Sequence, residues 1–385
     1  MIFFGKSNFP IGLDISSNVL RLVQLNRIGK KNKIQALSSV KMDKGLIVDG
    51  EIKDEDAVLA KIHQLINKPL YGKVSSDRVI ACLPETKTFV KLIKVEKSPN
   101  NISEIIESEI EKHIPYSIKE VYFDWQAIQE EEDSTFVLIG ATPKEIVNQY
   151  TSLLDRAKLS IQALEIEPVS ICRCLLQEER PENERGELHN YALIDIGANR
   201  TSMVVYSKNT VVFTISMPIS GEKITQNIAK ELDMDNDQAE KAKIICGLDK
   251  TKAQGVINKV LSDNINELKK KINDSIEFYN SYYSERGKID KIVLCGGGAN
   301  LKGLDVIIYE ATAIEVVIGD VFVNLGDKNE EVINALTEFY KYKVKSNNKK
   351  TKDIFKDKNT QYQDMSFSFV TAIGLALRGI FINEL

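Results

Sequence analysis

Tyr191-Ala192-Leu193-Ile194-Asp195-Ile196-Gly197-Ala198-Asn199-Arg200-Thr201 is the stretch on which the reading of this chain turns. The apolar run from Tyr191 to Ile196 predicts a short strand that delivers one carboxylate to a turn built on a small residue. A second strand is expected to leave at once, from Ser202 to Tyr206, in the β-branched and aromatic types that suit a pleated surface. Gly197 lets successive backbone N–H groups converge on an anion with no Cβ in the way. Asp195 stands where it could hold a hydrated magnesium ion against that anion. Alone this carries little weight, because Asp-x-Gly turns close many hairpins that bind nothing.

A second copy gives it weight. Near the N-terminus the chain reads Ile11-Gly12-Leu13-Asp14-Ile15-Ser16-Ser17-Asn18, followed by a strand from Val19 to Leu25. Aligning Asp14 with Asp195 also superposes Ile15 on Ile196, Ser16 on Gly197, Ser17 on Ala198 and Asn18 on Asn199. That offset is too long for a solenoid repeat and fits a duplicated domain whose two hairpins face one cleft. A third element follows in Lys291-Ile292-Val293-Leu294-Cys295-Gly296-Gly297-Gly298-Ala299-Asn300. There a buried-type strand ends in three glycines and is expected to enter a helix, which offers bare backbone and a helix N-terminus to a ligand. The order of the three segments is the signal, more than any one of them.

Composition bounds the classes. The chain has 385 residues, 43% hydrophobic and 28% charged, enough for two domains of ordinary balance. A net charge of −4 argues against wholesale nucleic-acid binding. The apolar start Met1 to Phe4 is too short for a signal peptide, and no run approaches a membrane span, so a cytoplasmic protein is expected. Five cysteines, an odd count, fit a reducing compartment, and Cys172 with Cys174 makes a poor metal pair. His63, His113 and His189 are scattered and read as structural or surface residues.

The three ordered segments resemble the phosphate-1, phosphate-2 and adenosine motifs of the actin-like ATPase superfamily, which includes actin, hexokinase, DnaK-type chaperones and the division protein FtsA. Within it the chain most resembles the PilM family of type IV pilus assembly, over most of its length. The resemblance implies an α/β actin-like ATPase fold: duplicated ribonuclease-H-like domains around a nucleotide cleft, with an inserted α+β 1C subdomain. On that pattern residues 1–84 form the first part of subdomain 1A, 85–163 subdomain 1C and 164–189 the second part of 1A. Residues 190–219 form the first part of 2A, 220–289 subdomain 2B, 290–368 the rest of 2A, and 369–385 the closing helix of 1A.

The same resemblance implies ATP or ADP with magnesium as ligands. Asp14 and Asp195 would hold the ion through water. Backbone donors of Ser16, Ser17 and Asn18, and of Gly197, Ala198, Asn199, Arg200 and Thr201, would cradle phosphates. Arg21 adds positive charge where the family usually has lysine. Gly221 and Glu222 fall in the family's Gly-Gly-Asp or Gly-Gly-Asn position, from which Ser220 and Glu222 depart. Glu240 and Lys243 would flank the nucleoside, and Gly296, Gly297, Gly298 and Asn300 would receive the adenine. Glu167 matches approximately the side chain that serves the γ-phosphate, with turnover slow or absent.

Between the motifs, periodicity organises the chain. Ile34 to Val40 and Arg78 to Leu83 read as strands, with Val58, Ile62, Leu65 and Ile66 as a helix face between them. Next comes a strand–helix–strand–strand–helix unit: strands at Thr88–Val95, Val121–Ile128 and Phe136–Ala141, and helices faced by Ile102, Ile105, Ile106, Ile110 and Ile114 and by Ile146, Tyr150, Leu153 and Leu154. Asn101 with Glu104 makes an N-cap signature. A polar linker is expected at Pro181–Asn190, a long helix from Leu261 to Tyr283, and an amphipathic helix carrying Val332, Leu336, Phe339 and Tyr340. Lys341 to Asp364 holds eight lysines within an insertion at about 327–364, read first as solvated loop and second as a surface for anionic membrane.

Ile110-Glu111-Lys112-His113-Ile114-Pro115-Tyr116 is similar to the Glu-Lys-Tyr-Ile-Pro-Phe signature of the PilM family. By that resemblance the chain would bind the N-terminal cytoplasmic tail of the bitopic protein PilN in a groove between 1A and 1C, with Ile110, His113, Ile114 and Tyr116 lining part of it. Membrane association would then be indirect, through that partner. An FtsA-like filament protein and a small-molecule kinase are the alternatives on the same fold. The first usually ends in a linker and membrane helix, and the second needs a substrate aspartate that no segment supplies.

Overall fold

The computed structural model describes residues 9–29, 31–96, 102–177, 188–217, 219–326, 330–332, 334–335 and 367–381. Asn101, most of the linker, the lysine-rich stretch and the Leu336, Phe339 and Tyr340 positions lie outside them. Two compact units divide the chain. One is built from residues up to Gln177 with stretches after Val321 and Phe369; the other is built mainly from Glu178 to Asp320.

The first unit begins with β1 (Ile11–Ile15), β2 (Val19–Ile28) and β3 (Lys31–Lys41), a meander of antiparallel neighbours. After a small hairpin of β4 (Ile47–Val48) and β5 (Glu51–Ile52) comes α1 (Glu55–Asn67), whose N-cap Asp54 accepts from Ala57 N at 2.9 Å. β6 (Tyr71–Gly72) adds to β3, and β7 (Arg78–Leu83) runs parallel to β1. The chain then makes β8 (Phe89–Glu96), α2 (Ile102–His113), β9 (Val121–Glu130), β10 (Ser134–Pro143) and α3 (Lys144–Arg156). It returns as β11 (Ser160–Ile166), parallel to β7, and enters α4 (Glu167–Leu175). The order of the main sheet is β11-β7-β1-β2-β3-β6.

Two cores result. Within the first unit strands β8, β10 and β9 pair as a three-stranded layer, and α2 buries Ile106, Ile110 and Ile114 against its Ile93, Val137 and Ile139. Helix α3 leaves that layer. Its Ile146, Tyr150, Leu153 and Leu154 join Leu13, Val58 and Ile62 in the core of the main sheet, and the Tyr150 hydroxyl donates to Gly50 O at 3.2 Å. The closing helix of the chain (Val370–Phe381) covers the other face of that sheet, with Leu375 against Ile80 and Cys82. It comes so close to α4 that a Cβ on Gly374 would lie 1.9 Å from Ser170 O.

The second unit repeats this plan. It has β12 (Asn190–Ile196), β13 (Thr201–Ser207) and β14 (Thr210–Met217), then α5 (Gly221–Glu231), α6 (Asn236–Cys246) and the 27-residue α7 (Val256–Tyr282). β15 (Lys291–Cys295), α8 (Leu304–Thr312) and β16 (Glu315–Ile318) follow. The expected stripe of α7, from Ile265 through Leu268, Ile272 and Ile276 to Tyr279, is buried throughout. No described helix is long and apolar enough to cross a membrane.

The duplication is visible strand by strand. The sequence β11-β7-β1-β2-β3 in one unit matches β16-β15-β12-β13-β14 in the other. Cα partners match as well: Asp14 opposes Arg21 and Ile15 opposes Leu20, while Asp195 opposes Ser202 and Ile196 opposes Thr201. Leu13 faces Ala81 on the parallel side, as Ile194 faces Leu294. Even the turns close alike, by Ser16 N to Val19 O at 3.3 Å and Gly197 N to Arg200 O at 2.8 Å.

Candidate functional site

In the first unit the β1–β2 hairpin sets Asp14 directly opposite Arg21, and the guanidinium sits 3.1 Å from its carboxylate. Asp14 is only 5% exposed. Burial pushes its pKa above the ordinary aspartate value, and the Arg21 charge and hydrogen bond pull against that rise. The sequence assigned Arg21 to the phosphates; the register gives it to Asp14, because the two are cross-strand partners. Ser16, expected to offer its N–H to phosphate, turns both that N–H and its hydroxyl on Val19 O. Ser17 and Asn18 complete the turn, half-buried.

Glu167 is the first residue of α4, half-buried, and accepts from the Thr371 hydroxyl of the closing helix at 3.3 Å. Two residues earlier, sequence reasoning passed over a buried network. The Glu165 carboxylate receives both terminal nitrogens of Arg173, at 2.6 and 2.7 Å, and Arg378 at 2.6 Å. Arg173 also donates to Gly374 O at 3.0 Å. Its trace in the sequence is a carboxylate inside the apolar run Ala163-Leu164-Glu165-Ile166. It holds the strand end, α4 and the closing helix together around Glu167.

The second unit gathers more of the expected residues. The first N–H groups of α5, at Gly221 and Glu222, donate to the carbonyls of Gly197 and Ala198 at 3.0 and 2.9 Å. They therefore hold the second acidic hairpin in place, and these two N–H groups are not directed outward at an anion. Ser220, a departure from the family pattern, has a plain role: it is the N-cap of α5 and accepts from Lys223 N at 3.2 Å. Glu240 and Lys243, on α6, come together with Thr225. Lys243 Nζ lies 2.7 Å from a Glu240 oxygen and donates to the Thr225 hydroxyl at 2.8 Å and to Gly221 O at 3.0 Å. The Thr225 hydroxyl in turn reaches Glu240.

The glycine run behaves differently from its expectation. The chain does not pass straight into a helix: Gly297–Asn300 make a 3-10 turn, and α8 starts only at Leu304. A Cβ on Gly296 would stand 2.1 Å from Asp195 Oδ1, and one on Gly298 2.2 Å from Ile196 Cγ2. Those two glycines are thus spent on contact with the end of β12, and Gly297 alone faces open space. Asn300 is half-buried, its amide at the limit of reach, 3.5 Å, from Gly297 O. Near the same strand end the buried hydroxyl of Thr201 has no hydrogen-bond partner among the described residues. Ala198 and Asn199 are exposed at the tip of the hairpin, Arg200 half-buried.

Among the described residues no group of three or more His, Cys, Asp or Glu side chains could hold a metal ion. Each hairpin offers a single carboxylate, Asp14 in one unit, already ion-paired with Arg21, and Asp195 in the other, and a lone carboxylate suits the water shell of a hydrated magnesium ion better than direct ligation.

The partner residues inferred for the three-stranded layer divide. Ile110 and Ile114 are 0% and 7% exposed and belong to its core, because the α2 periodicity turns them onto the sheet. They are therefore not surface contacts. His113 and Tyr116 remain half-buried at the surface. Burial and the Lys91 charge lower the pKa of His113.

Two units with one strand order, each with an aspartate one residue before the end of its first strand at a hairpin, define an actin-like fold. The chain matches the type IV pilus assembly protein PilM family over residues 12–380 and belongs to it. It is similar to the solved PilM–PilN type IV pilus biogenesis complex, with a TM-score of 0.72 and 23% identity over 96% of this chain and 98% of that one. It is similar also to the ethanolamine utilization protein EutJ of Carboxydothermus hydrogenoformans, at TM-score 0.51 and 14% identity over 96% and 89% of the two chains. A third likeness is to MreB5 of Spiroplasma citri bound to ADP, at TM-score 0.50 and 14% identity over 89% and 98%.

Proposed function

We propose that this chain is a nucleotide-binding scaffold of type IV pilus assembly that captures the cytoplasmic N-terminal tail of a PilN-type membrane protein. The observation that carries the reading is family membership over residues 12–380. The likeness to a PilM–PilN complex supports the partner, and a fold relative bound to ADP supports the nucleotide. The scaffold works at the inner face of the membrane, where such a tail emerges.

In this reading ATP or ADP is held at the two acidic hairpins. Glu240, Lys243 and Thr225 form a polar cluster for the sugar side, and Gly297 gives the base access to backbone. Magnesium, when bound, neutralises phosphate charge. Asp14 and Asp195 would hold it through its waters, and Glu167, which accepts from Thr371, would orient an attacking water. The tail is an extended peptide read by main-chain bonds and side-chain pockets, with Tyr116 and His113 as its contacts on the three-stranded layer.

Calorimetry with ATP and magnesium tests the first part. Asp195→Ala and Lys243→Ala are each expected to weaken binding by about tenfold or more, as loss of a charged contact does. No measurable nucleotide binding by the wild-type chain would end this assignment. A pull-down with a synthetic PilN tail tests the second. Tyr116→Ala should reduce capture by more than a small loss of melting temperature from its packing on the layer's core accounts for, and equal capture by both chains would remove the proposed groove.

A further inference from the structure

Helix α4 is the last element before the chain leaves the first unit after Gln177, and the chain re-enters that unit at Val321 and again at Phe369. At nine residues α4 is too short to hold itself, so its neighbours set its position. No left-handed residue closes the carbonyls at its end, because the capping Leu176 is extended, at φ −112° and ψ 140°. They are closed from far away in the chain instead. Asn324 Nδ2 donates to Arg173 O at 2.9 Å and to Leu176 O at 2.8 Å, with Cys174 O at 3.4 Å. Three acceptors around one nitrogen require a donor there, and an ionised aspartate of the same shape has none. Gln177 Nε2 adds a bond to Val323 O at 3.3 Å. Residues 321–326 are themselves fixed: Gly326 N donates to Asn32 O at 2.9 Å, Asn32 Nδ2 donates to Asn324 O at 3.3 Å, and Val321, Phe322 and Leu325 are buried.

The other returning segment grips the first half of the same helix. Thr371 donates to Glu167, Arg173 donates to Gly374 O, Arg378 reaches Glu165, and Gly374 lies against Ser170. Both segments that follow the second unit in the chain thus close on one short helix, the closing helix toward its start and residues 321–326 at its end. A helix of this length moves as one body, so a shift at its last carbonyls is carried to its first residue, Glu167, about 12 Å along the axis. We propose that Asn324 is a latch through which the segment returning at Val321 sets the position of α4 and, through it, of Glu167. The role given to Glu167 rests on the nucleotide reading above; the latch itself is a property of the ligand-free chain.

The test is hydrogen–deuterium exchange on the full ligand-free chain, read by mass spectrometry, so its outcome stands whether or not the wild type binds ATP. Asn324→Asp removes the donors without changing size. At about pH 7 it should speed exchange about tenfold in residues 321–326, in the last turn of α4 and in the closing helix around Gly374. Helix α2, in the three-stranded layer, should exchange as in the wild type. At about pH 4 the excess of Asn324→Asp over wild type at the same pH should shrink, because a protonated carboxyl regains an O–H donor. Asn324→Ala should keep its excess, and Asn324→Gln, with the donors on a longer arm, should exchange more slowly than either. An excess confined to residues 321–326 and the last turn of α4 overturns the proposal and leaves Asn324 a local cap. An excess that spreads to α2 overturns it too, since that marks global destabilisation. So does an excess in Asn324→Asp that ignores pH, an equal excess in Asn324→Gln, or no excess in any variant.

Discussion

Asp14 and Glu51 are carboxylates held in opposite senses, and their opposite pH behaviour can be measured. Burial raises the pKa of Asp14, so the folded chain binds that proton more tightly than the unfolded one. Its contribution to stability is complete at low pH and is lost as pH rises through the folded value. Relative to Asp14→Asn, the nucleotide-free wild type should therefore gain thermal stability as pH falls from about 7 to about 4. Glu51 lies 2.7 Å from both Lys53 and Lys87, whose hydrogen bonds bring its pKa down to about 2 from 4.5. Its contribution is complete above the unfolded value and disappears as pH falls toward 2, so the melting-temperature gap to Glu51→Gln should close over that range and shrink with salt. Glycine substitutions separate fold from ligand. Gly296→Ala would put a methyl onto Asp195 and lower the melting temperature. Gly297→Ala leaves the fold intact and is expected to weaken nucleotide binding alone.

At the scale of elements, α2 and α3 answer different questions. Ile110 sits at 0% exposure in the core of the three-stranded layer, so Ile110→Ala should destabilise that layer by about 2–4 kcal/mol, read by urea unfolding. A loss of tail capture in that variant would report unfolding rather than a lost contact. The closing helix depends on its approach to α4. Gly374→Ala places a methyl 1.9 Å from Ser170 O, and overpacking of about 1–3 kcal/mol is expected by calorimetric melting. The same contact brings Arg173 and Arg378 to Glu165, so the change should also disturb the setting of Glu167.

Across the whole chain, the repeated strand order and register make one hairpin a check on the other. Both turns are closed by the same backbone bond, and both depend on short apolar strands legible in sequence as Leu13-Asp14-Ile15 and Ile194-Asp195-Ile196. Those strands, the stripe of α7 and the ordered motifs were readable because strand and helix periods leave a local mark on hydrophobicity. The sequence by itself therefore determined the α/β actin-like plan and the family. Only the tertiary structure decided how each polar group is used. It turned Arg21 onto Asp14, spent Gly296 and Gly298 on the end of β12, buried Ile110 and Ile114, and assembled Glu165, Arg173 and Arg378 from three elements. A charge or a glycine has no period, and its role is set by partners that lie far away in the chain and meet only on folding.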